Sequence, residues 1–230
     1  IVVGGIALNG STIRDAAGND AALALGGHVP PLDAVLVDAQ APSVAGVAAP
    51  AAGTYAAGDT LVFTITFDDN VAVTGTDNTL GVNVGGVNRA AAFASSNGNS
   101  VTYTYTVQAG ENDADGIAIG ALALGTSTIR DAAGNDAALS LAGRLPPTGA
   151  ILVDTQAPVV TGVAVPGNGV YGTGMHLDFT VTFSEVVNVV GTGGTLGLAI
   201  GGAVHNAQFL SSTGNTITYR YTVQPGDADA

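Results

Sequence analysis

Leu61-Val-Phe-Thr-Ile-Thr-Phe67 decides the fold. Its large apolar side chains, Leu61, Phe63, Ile65 and Phe67, occupy every second position, with Val62, Thr64 and Thr66 between them. A period of two sends alternate side chains to opposite faces of an extended chain, so this stretch reads as a strand with one face in a core. Val101-Thr-Tyr-Thr-Tyr-Thr-Val107 has the same design, with Val101, Tyr103, Tyr105 and Val107 on the buried side. Burying such side chains stabilises by roughly 1.5–3 kcal/mol each, which makes these two strands the spine of the core.

Outward from this pair, shorter strands are predicted near 43–48, 72–75, 79–84, 89–95, 117–124, 127–130 and 150–153. Asn97-Gly98, between the 89–95 and 101–107 runs, is a short-hairpin signal. Gly58-Asp59, Gly85-Gly86 and Gly134-Asn135 supply further turns. No segment carries the stripe of a helix, and the Ala-rich stretch 16–25 is interrupted by Gly18. Eight or so short alternating strands punctuated by turns predict an all-β chain built of antiparallel β-sandwiches.

The two spine strands recur 116 residues later, as Leu177–Phe183 and Ile217–Val223, and Ser-Thr-Ile-Arg-Asp-Ala-Ala-Gly-Asn-Asp occurs at both 11–20 and 127–136. Sliding residues 1–114 over 117–230 needs no gap and leaves 65 of 114 positions identical. The same offset carries Asp38-Ala-Gln-Ala-Pro42 onto Asp154-Thr-Gln-Ala-Pro158. Self-similarity at a fixed period marks a tandem array. Residues 1–38 match the end of a unit, 39–154 form one whole unit, and 155–230 match the start of the next. One reading takes the chain as a window on a longer array; another takes it as a fibre subunit whose residues 1–38 complete a neighbour's unfinished sandwich.

Composition narrows the chemistry. Sixteen Asp and two Glu face five Arg and no Lys, for a net charge of −13. Such a chain is repelled by phosphate backbones and anionic lipid, so nucleic acid and membrane surfaces are not expected partners. The absence of Cys excludes disulfides, thiolate metal sites and thiol nucleophiles, and the absence of Lys excludes Schiff-base and P-loop chemistry. No run of 18 apolar residues predicts a membrane-spanning helix.

Asp-x-Gln-Ala-Pro at the head of each unit, Phe-[Asp/Ser]-[Asp/Glu] after the first spine strand and Arg-Asp-Ala-Ala-Gly-Asn near the unit's end resemble bacterial immunoglobulin-like repeats. Those repeats belong to very large secreted or surface proteins, adhesins of Gram-negative bacteria among them, and the resemblance covers the whole chain. It implies tandem immunoglobulin-like antiparallel β-sandwiches forming a rod, located outside the cell or on its surface, with neighbouring repeats as partners and calcium between domains.

Carboxylates gather in loops. Asp38 lies in the linker; Asp68 and Asp69 follow the first spine strand, with Ser184 and Glu185 as counterparts; Asp131, Asn135 and Asp136 share the loop before the last strands. In an immunoglobulin-like sandwich these loops lie at one end, so Asp38, Asp69, Asp131 and Asn135 are expected to converge. Glu111-Asn-Asp-Ala-Asp-Gly116 places Glu111, Asp113 and Asp115 like the opening of a calcium loop, although position twelve is Leu122 and no helices flank it. With Asp154 and Glu185 at the next junction, hard oxygen donors point to calcium rather than zinc or copper. The competing reading is that Asp, Asn and Gly are what turns require, with Arg14 and Arg130 paired to neighbouring Asp residues.

Catalysis is not expected. His28, His176 and His205 align with Arg144, Thr60 and Arg89, so no histidine recurs with the repeat, and they read as surface residues. No nucleophile elbow or zinc-protease motif is present. The expected role is a calcium-stiffened spacer or stalk of a surface adhesin. The alternatives are a biofilm-matrix or other extracellular fibre assembled by strand complementation, a lateral surface sheet, and a glycan-binding module. The last is weakened by the absence of Trp and by the divergence of loops 56–60 and 86–92 from 172–176 and 202–208.

Overall fold

The computed structural model describes residues 1–229, and all regular structure among them is β. The chain divides into two compact units, Ile1–Thr155 and Gln156–Ala230. The division falls at the repeat junction, and residues 1–38 are counted with the first unit.

In the first unit the deciding stretch forms β3 (Thr60–Phe67), with Leu61, Phe63, Ile65 and Phe67 buried and the residues between them exposed or half-buried. It pairs on one side with β1 (Val44–Ala48) and on the other with β7 (Ser100–Thr106). The sheet continues through β6 (Val87–Asn97) and β5 (Thr79–Val84) to β9 (Ala118–Ala123), six strands in the order β1-β3-β7-β6-β5-β9, every pair antiparallel. The β6–β7 hairpin turns on Gly98-Asn99, one residue on from the expected Asn97-Gly98, because Asn97 still pairs with Ser100; Gly98 takes the left-handed φ of 59° that a first turn position of this kind demands.

Two small sheets complete the unit. One joins β4 (Ala72–Thr74) to β10 (Thr128–Arg130); the other sets β11 (Ile151–Asp154) between β2 (Gly53–Tyr55) and β8 (Asn112–Asp113). A single core cluster joins Leu61, Phe63, Ile65 and Phe67 of β3, Val101, Tyr103 and Tyr105 of β7, and Leu80, Val82 and Val84 of β5 to Ile129 of β10 and Ile151 and Val153 of β11. The arrangement is a β-sandwich. It departs from the all-antiparallel expectation at one pair, for β2 and β11 run parallel. That register needs a long connection, and nearly the whole unit lies between the two strands.

Residues 1–38 form no strand of these sheets, and their one ladder contact is the isolated Arg14–Asp20 bridge. Several of their apolar side chains face solvent: Val2 is 94% exposed, Leu36 85% and Val37 79%.

The second unit is a five-stranded antiparallel sheet in the order β12 (Val160–Ala164), β13 (His176–Phe183), β16 (Thr216–Thr222), β15 (Ala203–Thr213), β14 (Thr195–Ile200). Its pairings lie 116 residues on from those of the first sheet: Val44↔Phe67 becomes Val160↔Phe183, and the Phe93/Ser95 irregularity becomes Phe209/Ser211. Burial does not follow register. Leu61, Phe63 and Phe67 are sealed, whereas Leu177, Phe179 and Phe183 are only half-buried.

Candidate metal site

Three segments of the first unit bring their carboxylates to one point. Asp38 comes from the linker before β1, Asp69 from just beyond β3, and Asp131 from just beyond β10; one carboxylate oxygen of each lies within 4.8 Å of the others. Asp38 and Asp69 are exposed and Asp131 is buried. Among the described residues this is the one such grouping of three acidic, histidine or cysteine side chains.

Local hydrogen bonds explain the aim of each side chain. Asp68 turns away, its carboxylate accepting from the Ser43 amide at 2.7 Å and the Ser43 hydroxyl at 2.6 Å. The next residue, Asp69, is the one whose carboxylate joins the cluster. Asp131 accepts from the Asn135 amide at 2.8 Å and the Asn135 side chain at 2.7 Å. The same Asn135 Nδ2 donates to the Gln40 carbonyl at 3.1 Å and the Asp38 carbonyl at 3.4 Å, tying linker to loop. The Asn135 side chain holds the Asp131 carboxyl below its ordinary pKa against the opposing pull of burial, so it stays ionised.

Three negative carboxylates this close repel one another, and each offers hard oxygen donors of the kind calcium takes in sets of six to eight. No thiol or imidazole belongs to the set. The donor chemistry therefore fits calcium, with Asp38, Asp69 and Asp131 as the ligands that would hold it.

The other acidic positions lie elsewhere. Asp136 pairs with Arg130 at 2.5 Å, as Asp20 does with Arg14 at 2.6 Å. Asp113 is buried, its carboxylate capping the amides of Gly85 at 2.7 Å and Gly116 at 2.8 Å. Glu111 is buried too, accepting from Arg89 Nε and the Tyr105 hydroxyl at 2.5 Å and from the Gln108 amide at 2.8 Å. The 111–116 loop thus turns two of its three acids inward to hold backbone and core, and only Asp115 is exposed. Asp154 ends β11 opposite Asn112, and Glu185 is half-buried in the second unit.

Glu111, expected from its spacing to face a calcium ion, instead centres a polar network with Arg89, Tyr105 and Gln108. Burial opposes its ionisation, yet the bonds from Tyr105, Gln108 and Arg89 outweigh this and keep it charged, while burial pushes Tyr105 up to about 12. The second unit rebuilds it with different residues: the Tyr221 hydroxyl donates to Asp227 at 2.6 Å and meets His205 Nδ1 at 3.0 Å. His205 is therefore half-buried and bonded rather than a surface residue. The signal was present in the sequence, since Arg89 with Glu111 becomes His205 with Asp227 at one offset, a long pair answered by a short one.

Asp77 makes a third anchor, accepting from the Thr126 amide at 2.8 Å and the hydroxyls of Thr126 and Ser127 at 2.6 and 2.5 Å. No protein-family model matches the chain, and no curated protein matches it.

Proposed function

We propose that the chain is a non-enzymatic structural segment of a large extracellular bacterial surface or adhesin protein. On this reading consecutive immunoglobulin-like sandwiches act as a spacer whose linkers are stiffened by calcium. The observation that supports it best is the pinning of the linker. Asp38 and Gln40 are held by Asn135 through their carbonyls, and the Asp38 carboxylate lies beside Asp69 and Asp131. A divalent cation there would bond the linker to the sandwich that follows, removing a hinge, and Pro42 restricts the remaining freedom. The other polar clusters hold backbone and core, which suits a spacer.

The test is a calorimetric titration of the whole chain with calcium. One binding event that Asp69→Ala weakens at least about tenfold is the expected result, because Asp69 brings a full charge to the site. A flat titration, or affinity indifferent to Asp69→Ala, would overturn the calcium part of the reading.

A further inference from the structure

The pairing of β8 with β11 ends at Asp154↔Asn112, and beyond it a side chain takes over from the backbone ladder. The Thr155 hydroxyl accepts from the Gly110 amide at 2.9 Å and donates to the Glu111 carbonyl at 2.9 Å. That loop has anchors of its own. The Glu111 carboxylate is held by Arg89, Tyr105 and the Gln108 amide, and the Glu111 amide donates to the Gln108 carbonyl at 3.2 Å. Thr155 is half-buried and belongs to no strand. The backbone leaving the first unit is therefore tied one residue past its last strand, to a loop that is itself held in place.

The chain is next tied at Val159, within the second unit. The Val159 amide donates to the Ser184 hydroxyl at 3.0 Å, and its carbonyl accepts from the Ser184 amide at 2.8 Å. Asp68 holds Ser43 of the first unit in the same way. Gln156, Ala157 and Pro158 lie between the two anchors. The Pro158 ring fixes its own φ, and its clash with the preceding residue confines Ala157 to extended conformations. Few soft torsions remain while Thr155 is held.

The hydroxyl is particular to this junction. Asp154-Thr-Gln-Ala-Pro158 follows the first unit, whereas Asp38-Ala-Gln-Ala-Pro42 precedes it, and the Ala39 side chain has neither donor nor acceptor. At the earlier linker the holding groups are Asn135 and the neighbouring carboxylates instead.

We propose that Thr155 is a positioning residue whose hydroxyl latches the exit linker to the Gly110–Glu111 loop and so fixes the direction of the next repeat without a metal. The two linkers of this chain are then stiffened by different means, one by carboxylates and a cation and the other by a neutral bridge that offers salt no charge to screen. The inference rests on the spacer reading and adds to it a junction that stays stiff when calcium is withdrawn.

Pulsed electron paramagnetic resonance on the whole chain in chelator tests it. The chain has no cysteine, so spin labels go only where Val87→Cys and Val186→Cys put them, at exposed positions of the first and second unit. The expected result is a narrow distance distribution that Thr155→Ala broadens and Thr155→Ser leaves narrow. Hydrogen exchange of the Gly110 amide should quicken about tenfold in Thr155→Ala, as the loss of one hydrogen bond implies, while β3 and β7 keep their protection. A distribution equally narrow before and after Thr155→Ala overturns the proposal, and so does one that Thr155→Ser broadens as much as Thr155→Ala. Unfolding of the first unit by Thr155→Ala overturns it too, because the hydroxyl would then support the sandwich rather than the linker. A distribution broad in chelator and narrow in calcium overturns the latch but leaves the spacer reading standing, with the cation alone stiffening the junction. One that is broad in calcium and chelator alike would sink the spacer reading itself.

Discussion

Asp69 and Asp131 share a cluster but differ in what else they hold, and substitution is expected to separate them. Asp131 carries the Asn135 loop, so Asp131→Ala should destabilise the first unit by about 1–3 kcal/mol with or without calcium. Asp69 bonds the adjacent Asn70 amide and is exposed; Asp69→Ala relieves the repulsion among the three carboxylates, so it should leave the calcium-free urea midpoint no lower and lower the midpoint only in calcium. The Glu111 group allows a second comparison. Arg89→His and Glu111→Asp should each cost about 1–2 kcal/mol, and the double variant less than their sum, because it recreates the His205–Asp227 pair. Urea unfolding of all four chains measures that coupling. Asp38, Asp69, Asp131 and Asn135 were legible in the sequence because loop position follows from strand order. The inward turn of Glu111 and Asp113 was not read from their loop, since a loop's composition does not say which of its acids points to the core; only the paired change to His205 and Asp227 marked Glu111.

At the scale of elements, alternation marked every strand long enough to show a period. β3 and β7 are the clearest cases, and the predicted short runs became β1, β4, β5, β6, β9, β10 and β11 within a few residues. β2 and β8, of three and two residues, escaped because a period of two needs more positions than they have. They exist through β11, which pairs with both, so they are products of tertiary contact rather than of local pattern. Two closely similar strands, β3 and β13, also meet two degrees of burial, which fixes an expected outcome. Phe63→Ala should cost the first unit about 3–5 kcal/mol by emptying a sealed site. Phe179→Ala, at the half-buried counterpart, should cost about half as much. Hydrogen exchange on β3 and β13 reads both effects in one sample.

For the whole molecule, a net charge of −13 and hydrogen-bonded carboxylates set the response to acid. Bonds from Ser43, Asn135 and Arg220 hold Asp68, Asp131 and Asp178 below the ordinary carboxylate pKa. A carboxyl whose pKa falls on folding stabilises the native state above its unfolded value, about 4, and that stabilisation is lost as pH drops through the lower native value. Urea midpoints are therefore expected to hold steady between about pH 7 and 5 and to fall below about pH 4.

The most direct measurement is thermal unfolding of the whole chain in millimolar calcium and again in chelator. With free calcium at about 100 times the dissociation constant, one site adds about 2.7 kcal/mol, which for a unit of this size raises its transition by about 5–10 °C. The expected result is that rise in the first unit's transition, abolished by Asp69→Ala. Superimposable melts in calcium and chelator would contradict it, and would leave Asp38, Asp69 and Asp131 as turn-forming and solubilising residues.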